Sequence, residues 1–556
     1  KLGLTPNTKA SVTFESGSTV KLSGILTSAE AMGTVGNDLL ITQNGGSVTL
    51  SNTSEFGGDA LFLRDWGTAT ASYVMNGGVF TMPQASWADV GNYGPGRLTV
   101  NGGTMTLGRF AAGYQTAAAT NGGSAEVTVN GGRLAAAGSW SWMSDGGARS
   151  TFVTVNGGTL SLPATRTYGT HANRWAELKL AGGALETAGA ALDTSATDDY
   201  LAGVRRVALD KAGGTVNTKD QNVTVRQNVL ALSSTGGVTK VGAGSLTLAG
   251  TNLVWGLVDV QEGRLSARFT HQSLPSAPLF WFGMNSTTNS DLSGNGFALA
   301  TANASTFAET SRTPSAQGLM FSGDGYFTAP FNPYFTNVTE FTVAAWVLLT
   351  NSVSGSNAAI SSSRPGASRA FELKLMDGNL VRILQHSDAT NAWWQEFRTV
   401  NAVPVGQWTH VAAVLTPQGV ALYLDGVRQS PIKQVYSSGG AMRDYPGSGY
   451  YFSGDYRFSP AGSTGGIIIG RPTTGVGAGF IGAMDDLMLF ERALSDDELA
   501  ALASEAPVRP LSLRVAWRAT LDMQGSTQLV SQVSGGGQIV NGTLSVGERL
   551  AVGDSE

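Results

Sequence analysis

The sequence of 556 residues contains no cysteine, which excludes disulfide scaffolds and thiolate metal sites and remains compatible with an extracellular bacterial protein. Charge is scarce as well. Asp, Glu, Lys and Arg make up 13 % of the residues, and the formal net charge is −5 at pH 7. No basic run exists to track phosphates, so nucleic acid is not an expected partner. No apolar stretch approaches the ~18 residues of a spanning helix, so no membrane span is expected. A signal peptide is also missing; Lys1 stands in β-like sequence, which places any export signal outside this chain or among segments already removed. Histidine is limited to His171, His271, His386 and His410, scattered rather than clustered. Long helical patterns are few. What remains is 74 glycines and 42 % hydrophobic residues, the profile of an all-β protein with filled cores rather than a disordered chain. The length allows roughly two to four domains.

A short phrase, apolar-x-apolar-Asn-Gly-Gly-x-apolar, keeps returning through the first half. It reads Ile41-Thr-Gln-Asn44-Gly-Gly-Ser-Val48, Tyr73-Val-Met-Asn76-Gly-Gly-Val-Phe80 and Leu98-Thr-Val-Asn101-Gly-Gly-Thr-Met105, and recurs around Asn130 and Asn156. Degraded copies stand at Ala181-Gly-Gly and Ala212-Gly-Gly, and the successive spacings are 32, 25, 29, 26, 25 and 31 residues. Alternation on each side gives period-two strands, and Asn-Gly-Gly supplies the positive φ of a tight turn. A rung this short cannot bury its own apolar face; stacking one on the next does so, at about 4.8 Å per step. The pattern predicts a right-handed parallel β-helix, with stacked Asn amides forming ladders. A meander of hairpins is the competing reading, which the irregular inserts holding Trp66 and Trp87 fit less well. Asn-Gly-Gly itself is turn chemistry: a calcium nonapeptide repeat needs an Asp and a nine-residue period that are absent.

The last copy, Gly236-Gly-Val-Thr-Lys240-Val-Gly-Ala-Gly244-Ser-Leu-Thr-Leu248 followed by Val258-Asp-Val-Gln-Glu-Gly263-Arg-Leu265, resembles the autotransporter-associated β-strand repeat, which implies a secreted or surface-displayed β-helix. Residues 1–274 form this repeat region. Residues 279–503 follow a different grammar and resemble a laminin-G-like or concanavalin-like jelly roll. The resemblance rests on Asp291-Leu-Ser-Gly-Asn295-Gly, Leu319-Met-Phe-Ser-Gly-Asp324-Gly-Tyr326, Phe341-Thr-Val-Ala-Ala-Trp346, Gln407-Trp408-Thr-His410 with Tyr423-Leu-Asp425-Gly426, and Gly482-Ala-Met-Asp485-Asp486-Leu. Asp425-Gly426 reads as a hairpin turn, and Ser495 with Glu498 as the capping box of the one good helix. Residues 507–556 return to the first grammar, so the jelly roll is an insertion between repeat segments. The sequence stops in mid-phrase at Glu556, which suggests a fragment or a subunit stacking on its neighbours.

Candidate chemistry falls in three places. Related jelly rolls carry a structural Ca2+, and Asp291, Asn295, Asp485 and Asp486 supply the hard oxygens such an ion takes; the alternative is a turn at Asp291 and the start of a strand at Asp485. An insert of about forty residues after Asp425-Gly426 holds Arg443, Tyr445, Tyr450, Tyr451, Tyr456 and Arg457, and a separate loop holds Trp393 and Trp394. Aromatic faces beside charged groups suit a glycan, and equally a protein contact. The jelly-roll glycosidase pattern Glu-x-Asp-x-x-Glu is absent, so no catalytic residue is assigned. The glycine pattern Gly477-Ala-Gly479-Phe-Ile-Gly482 enters a strand, not a helix, and is no nucleotide site. The expectation is a non-enzymatic, extracellular or cell-surface structural and adhesive protein whose partners are other copies of itself, a neighbouring surface protein or polysaccharide. The alternative is a dedicated glycan-binding lectin with the β-helix as spacer.

Overall fold

A computed structural model of the chain describes residues 10–22, 26–27, 39–51, 59–63, 70–91, 94–113, 124–138, 141–143, 150–166, 175–188, 199–233, 235–269, 274, 276–284, 291–302, 308–313, 316–330, 340–354, 356–364, 367–386, 393–416, 419–429, 433–438, 441–444, 466–471, 478–504 and 511–553. The chain divides into two compact units, Lys1–Gln272 with Val508–Glu556, and Ser273–Pro507.

The first unit is built from parallel pairs. One ladder runs Ala10–Phe14, Leu39–Gln43, Ala71–Met75, Gly96–Val100, Ala125–Val129, Ser150–Val155, Trp175–Leu180 and Arg206–Leu209. A second, formed by the strands after each Gly-Gly, runs from Thr19–Leu22 through Ser47–Leu50, Val79–Thr81, Thr104–Leu107 and Arg133–Ala136 to Thr159–Leu162 and beyond. A third joins Leu26–Thr27, Asp59–Leu63, Trp87–Val90, Arg109–Ala112, Ser141–Met143 and Thr165–Arg166. Alternation decides what each strand buries: Leu98 and Val100 are buried while Thr99 between them is half-buried. Leu98, Val100, Met105, Leu107, Phe110 and Ala112, drawn from all three ladders, enter one core cluster. Burying each such leucine or phenylalanine is worth at most about 1.5–3 kcal/mol, so a rung is stable only with rungs on both sides.

The turn residues do two jobs. The second glycine of the phrase has positive φ at every clear copy, for example 78° at Gly103 and 66° at Gly132. A Cβ on Gly132 would lie 2.4 Å from the Gly103 carbonyl oxygen of the preceding rung, so no side chain fits at the stacking distance. The asparagines form the expected amide ladder. Asn76 Nδ2 donates to Asn44 Oδ1 at 2.9 Å, and Asn101 to Asn76, Asn130 to Asn101 and Asn156 to Asn130 each at 2.8 Å. Asn44 in turn donates to the Glu15 carboxylate at 3.1 Å, so every donor points one way toward a charged acceptor. Where the Asn phrase has decayed, Lys240 takes over. Its buried ammonium donates to the carbonyls of Val241, Gly242 and Glu262 at 3.0, 2.6 and 3.1 Å, tying two rungs together.

The stack of the first unit resumes with the strands after residue 510. Leu257–Val260 pairs in parallel with Leu511–Val515, with Val258 opposite Leu513, and Arg264–Ser266 pairs with Thr520–Asp522. Asp259 accepts from Arg514 Nε at 2.7 Å and Asp522 accepts from Arg264 at 2.5 Å, so charge pairs flank the resumed register.

The second unit is a pair of sheets, antiparallel except where Ala478–Gly479 runs parallel to Ser356–Arg364. The first orders Ala308–Thr313, Ala316–Ser322, Ile481–Phe490, Phe341–Leu348, Trp408–Thr416, Gly419–Leu424 and Val427–Arg428, with Phe280–Phe282 also on Ile481–Phe490. The second orders Ala300–Ala302, Tyr326–Pro330, Gly466–Ile469, Ser356–Arg364, Ala367–Met376, Leu380–His386, Trp393–Ala402, Lys433–Ser438 and Ala441–Asp444. Phe341 of the first packs on Phe371 of the second at 4.9 Å between centroids, the interior of a sandwich. Asp425 and Gly426 turn the expected two-residue hairpin with φ of 49° and 76°. The only α-helix among the described residues, Asp496–Ala503, starts on the Ser495–Glu498 capping box and buries Leu499 and Leu502.

Candidate functional site

Charge collects on the second sheet of the jelly roll. Along Ala367–Met376 the residues Phe371, Leu373 and Leu375 point into the sandwich, which turns Glu372 and Lys374 to the other face. Register sets Glu372 opposite Leu384 and Leu384 opposite Glu396; one pleat away Lys374, Arg382 and Arg398 form a row of cations. Lys374 Nζ lies 2.7 Å from Glu372, Arg382 lies 3.0 Å from Glu396, and Arg398 also pairs with Glu396. Both glutamate side chains are fully buried, so the cations offset a large desolvation cost.

The expected aromatic residues border this row. Trp393 and Trp394 open the strand that carries Glu396, in pairs with Ser438 and Ser437 rather than in a separate loop. Arg443 pairs with Tyr436 on the next strand, one register step from Trp394. Trp393, Trp394 and Arg443 therefore come together at one end of adjacent strands. Tyr445, Tyr450, Tyr451, Tyr456 and Arg457 lie outside the described residues. Sequence reasoning missed Glu372, Lys374, Arg382, Glu396 and Arg398, whose only signal was charge at alternate positions of apolar strands.

The four residues expected at calcium are organised by other donors. Asp291 accepts from the backbone N–H groups of Trp281, Ser293 and Phe297, each at 3.0 Å. Burial pushes its carboxyl up despite these bonds. Asn295 Nδ2 donates to the Leu279 carbonyl at 2.8 Å. Asp485 and Asp486 do not begin a strand: they sit within Ile481–Phe490, where the register shifts opposite Ala344 and Trp346. Arg312 reaches both, at 2.5 Å to Asp485 and 3.0 Å to Asp486, and Trp281 Nε1 donates to Asp486 at 2.8 Å. Burial and the adjacent Asp486 push Asp485 up to about 6 although Arg312 opposes them. These oxygens face N–H groups and a guanidinium, and no group of three or more His, Cys, Asp or Glu among the described residues is placed to hold a metal ion. The donor set does not fit Ca2+.

Residues 321–455 match the family model described as the Concanavalin A-like lectin/glucanases superfamily. No curated protein sequence matches the chain. Among solved structures, domain 4 of an extracellular arabinanase from Geobacillus stearothermophilus, in complex with arabinotriose, is similar at 19 % identity and a TM-score of 0.29, covering 42 % of this chain and 98 % of that one. The binding domain of botulinum neurotoxin DC in complex with rat synaptotagmin II is similar at 13 % identity and 0.30, covering 42 % of this chain and 52 % of that one. A sialidase of Trypanosoma rangeli gives 16 % identity and 0.28, covering 41 % of this chain and 33 % of that one. No helix among the described residues is long and apolar enough to cross a membrane. The second unit thus contains, at residues 321–455, a concanavalin-like lectin/glucanase-type domain.

Proposed function

We propose that the chain is an extracellular, non-catalytic surface protein in which a right-handed parallel β-helix carries a carbohydrate-directed jelly roll as an insertion. The observation that carries this reading is the in-register pairing of Leu257–Val260 with Leu511–Val515, which makes the repeat one structural run on both sides of the inserted domain. Closure of the three ladders into a β-helix is supported by the single core they share. Carbohydrate as ligand is supported by the family match and by the charged row bordered by Trp394 and Arg443. Indole faces cover the C–H side of a sugar, and the partly exposed Arg382 and Arg398, held by the buried Glu396, supply N–H donors for its hydroxyls. Many copies on one surface turn weak sites into adhesion to polysaccharide or to neighbouring surface proteins.

A glycan array probed with the whole chain tests this reading, together with mass analysis of the bound glycans. The expected result is binding to a polysaccharide whose length stays constant, weakened by Trp394→Ala. Shortening of the glycan would overturn the non-catalytic reading, and an array without hits would overturn the carbohydrate reading.

A further inference from the structure

On the outer face of the first jelly-roll sheet the register leaves a gap. Trp281 stands opposite Met488, Met488 opposite Ala344 and Ala344 opposite Ala412, while a neighbouring row sets Trp346 opposite His410. Phe341 packs against the second sheet, so alternation along Phe341–Leu348 turns Ala344 and Trp346 away from the sandwich interior. Two alanine methyl groups between such large side chains leave space that close packing elsewhere in a core would fill. The result is a cavity of about 290 Å3 walled by Trp281, Trp346, His410, Asp486, Met488 and Leu502, the last from the helix.

Among the described residues this wall offers no open charge. Asp486 accepts from Trp281 Nε1 at 2.8 Å through one carboxylate oxygen and from Arg312 at 3.0 Å through the other. Arg312 is itself buried, its guanidinium 4.7 Å from the Trp346 ring centre. Burial, with Arg312 adding to it, pushes His410 down to about 3, so its imidazole is neutral at pH 7. A charged ligand would give up its hydration here without gaining a counter-charge. What the wall does present is apolar: the partly exposed rings of Trp281 and Trp346, with Met488 and Leu502. Such rings favour another aromatic ring, stacked offset or edge-on, and a thioether adds a favourable contact with it. Size narrows the choice further. An apolar cavity of about 150 Å3 holds one benzene, so roughly twice that volume suits two fused rings.

We propose that this cavity is a binding site for a small neutral molecule of two fused aromatic rings, held between Trp281 and Trp346 and packed on Met488 and Leu502. The site lies on the other sheet from the charged row, and it stands or falls independently of the glycan reading.

Calorimetric titration of the whole chain at pH 7 with quinoline, and in parallel with N-methylquinolinium and with benzene, tests it. Saturable binding of quinoline is expected, with the cation of the same ring system and the single ring each roughly tenfold weaker or more. Leu502→Trp, which fills the cavity from the helix side, should weaken quinoline by a similar factor. Should Leu502→Trp lower the melting temperature, Trp281→Ala, which removes one aromatic wall, carries the same expected loss. No saturable binding of quinoline, binding of N-methylquinolinium or benzene as tight as that of quinoline, or affinity unchanged in both variants would overturn the assignment.

Discussion

Asn101 shows how a single exposed residue serves the stack. It donates to Asn76 and accepts from Asn130, both at 2.8 Å. Exposed neutral hydrogen bonds are worth about 1 kcal/mol or less each, because water competes for both partners. Asn101→Ala is therefore expected to cost about 1 kcal/mol in urea unfolding. Gly132→Ala should cost more, above ~2 kcal/mol, because its φ of 66° is strained for alanine and the added Cβ meets the Gly103 oxygen. Equal stability of Gly132→Ala and the parent would contradict the stacking distance. A second residue-scale test concerns Asp485. Its folded pKa of about 6 lies above the ordinary aspartate value of 3.8, so its contribution to stability is full below 3.8 and is lost as pH rises through 6. Stability of Asp485→Asn relative to the parent should accordingly rise between pH 4 and pH 7, read from denaturant titrations at each pH. His410 runs the other way. Its folded pKa of about 3 lies below 6.5, so its contribution is full above 6.5 and is lost as pH falls through 3.

At the scale of strands and turns, legibility followed distance along the chain. Asn-Gly-Gly, the Asp425-Gly426 hairpin and the Ser495–Glu498 box are decided by neighbours a few residues apart, and each stands where the residues imply. The charged row is decided by pairing. Glu372 and Glu396 come to one register only after two hairpins, and Arg312 reaches Asp485 across 173 residues. Without that guanidinium in view, Asp485-Asp486 looks like a metal motif; with it, the two carboxylates are the shared partners of one arginine at a register shift. Trp393 and Trp394 read as a loop in the sequence because nothing local reveals the strand Lys433–Ser438 that pairs with them. Glu396, held between Arg382 and Arg398, gives the test at this scale. Glu396→Gln leaves two guanidinia facing a neutral amide and should cost about 3 kcal/mol or more, since breaking a buried pair strands its partner. Replacing Glu396, Arg382 and Arg398 together by apolar residues should recover much of that loss. A Glu396→Gln protein as stable as the parent in urea would show that the row carries no net interaction.

For the whole molecule, the account turns on an interruption. Between Phe269 and Leu511 the chain builds a sandwich of a different architecture, and then resumes its parallel ladder opposite the strand it left, with Asp259 facing Arg514. The same phrase grammar on both sides of the insert made the resumption readable, because one register brings every inward apolar residue back to the core and a slip of one turns them outward. The absence of cysteine allows a direct measurement. Parallel neighbours about 4.8 Å apart lie within the reach of a disulfide, and partners two residues out of register do not. In the double variant Asp259→Cys with Arg514→Cys, mild oxidation followed by peptide mass analysis should give a quantitative cross-link between the two segments, whereas Asp259→Cys with Ser512→Cys should give almost none. A cross-link in the second pair but not the first, or in neither, would contradict the continuous stack on which the inserted domain depends.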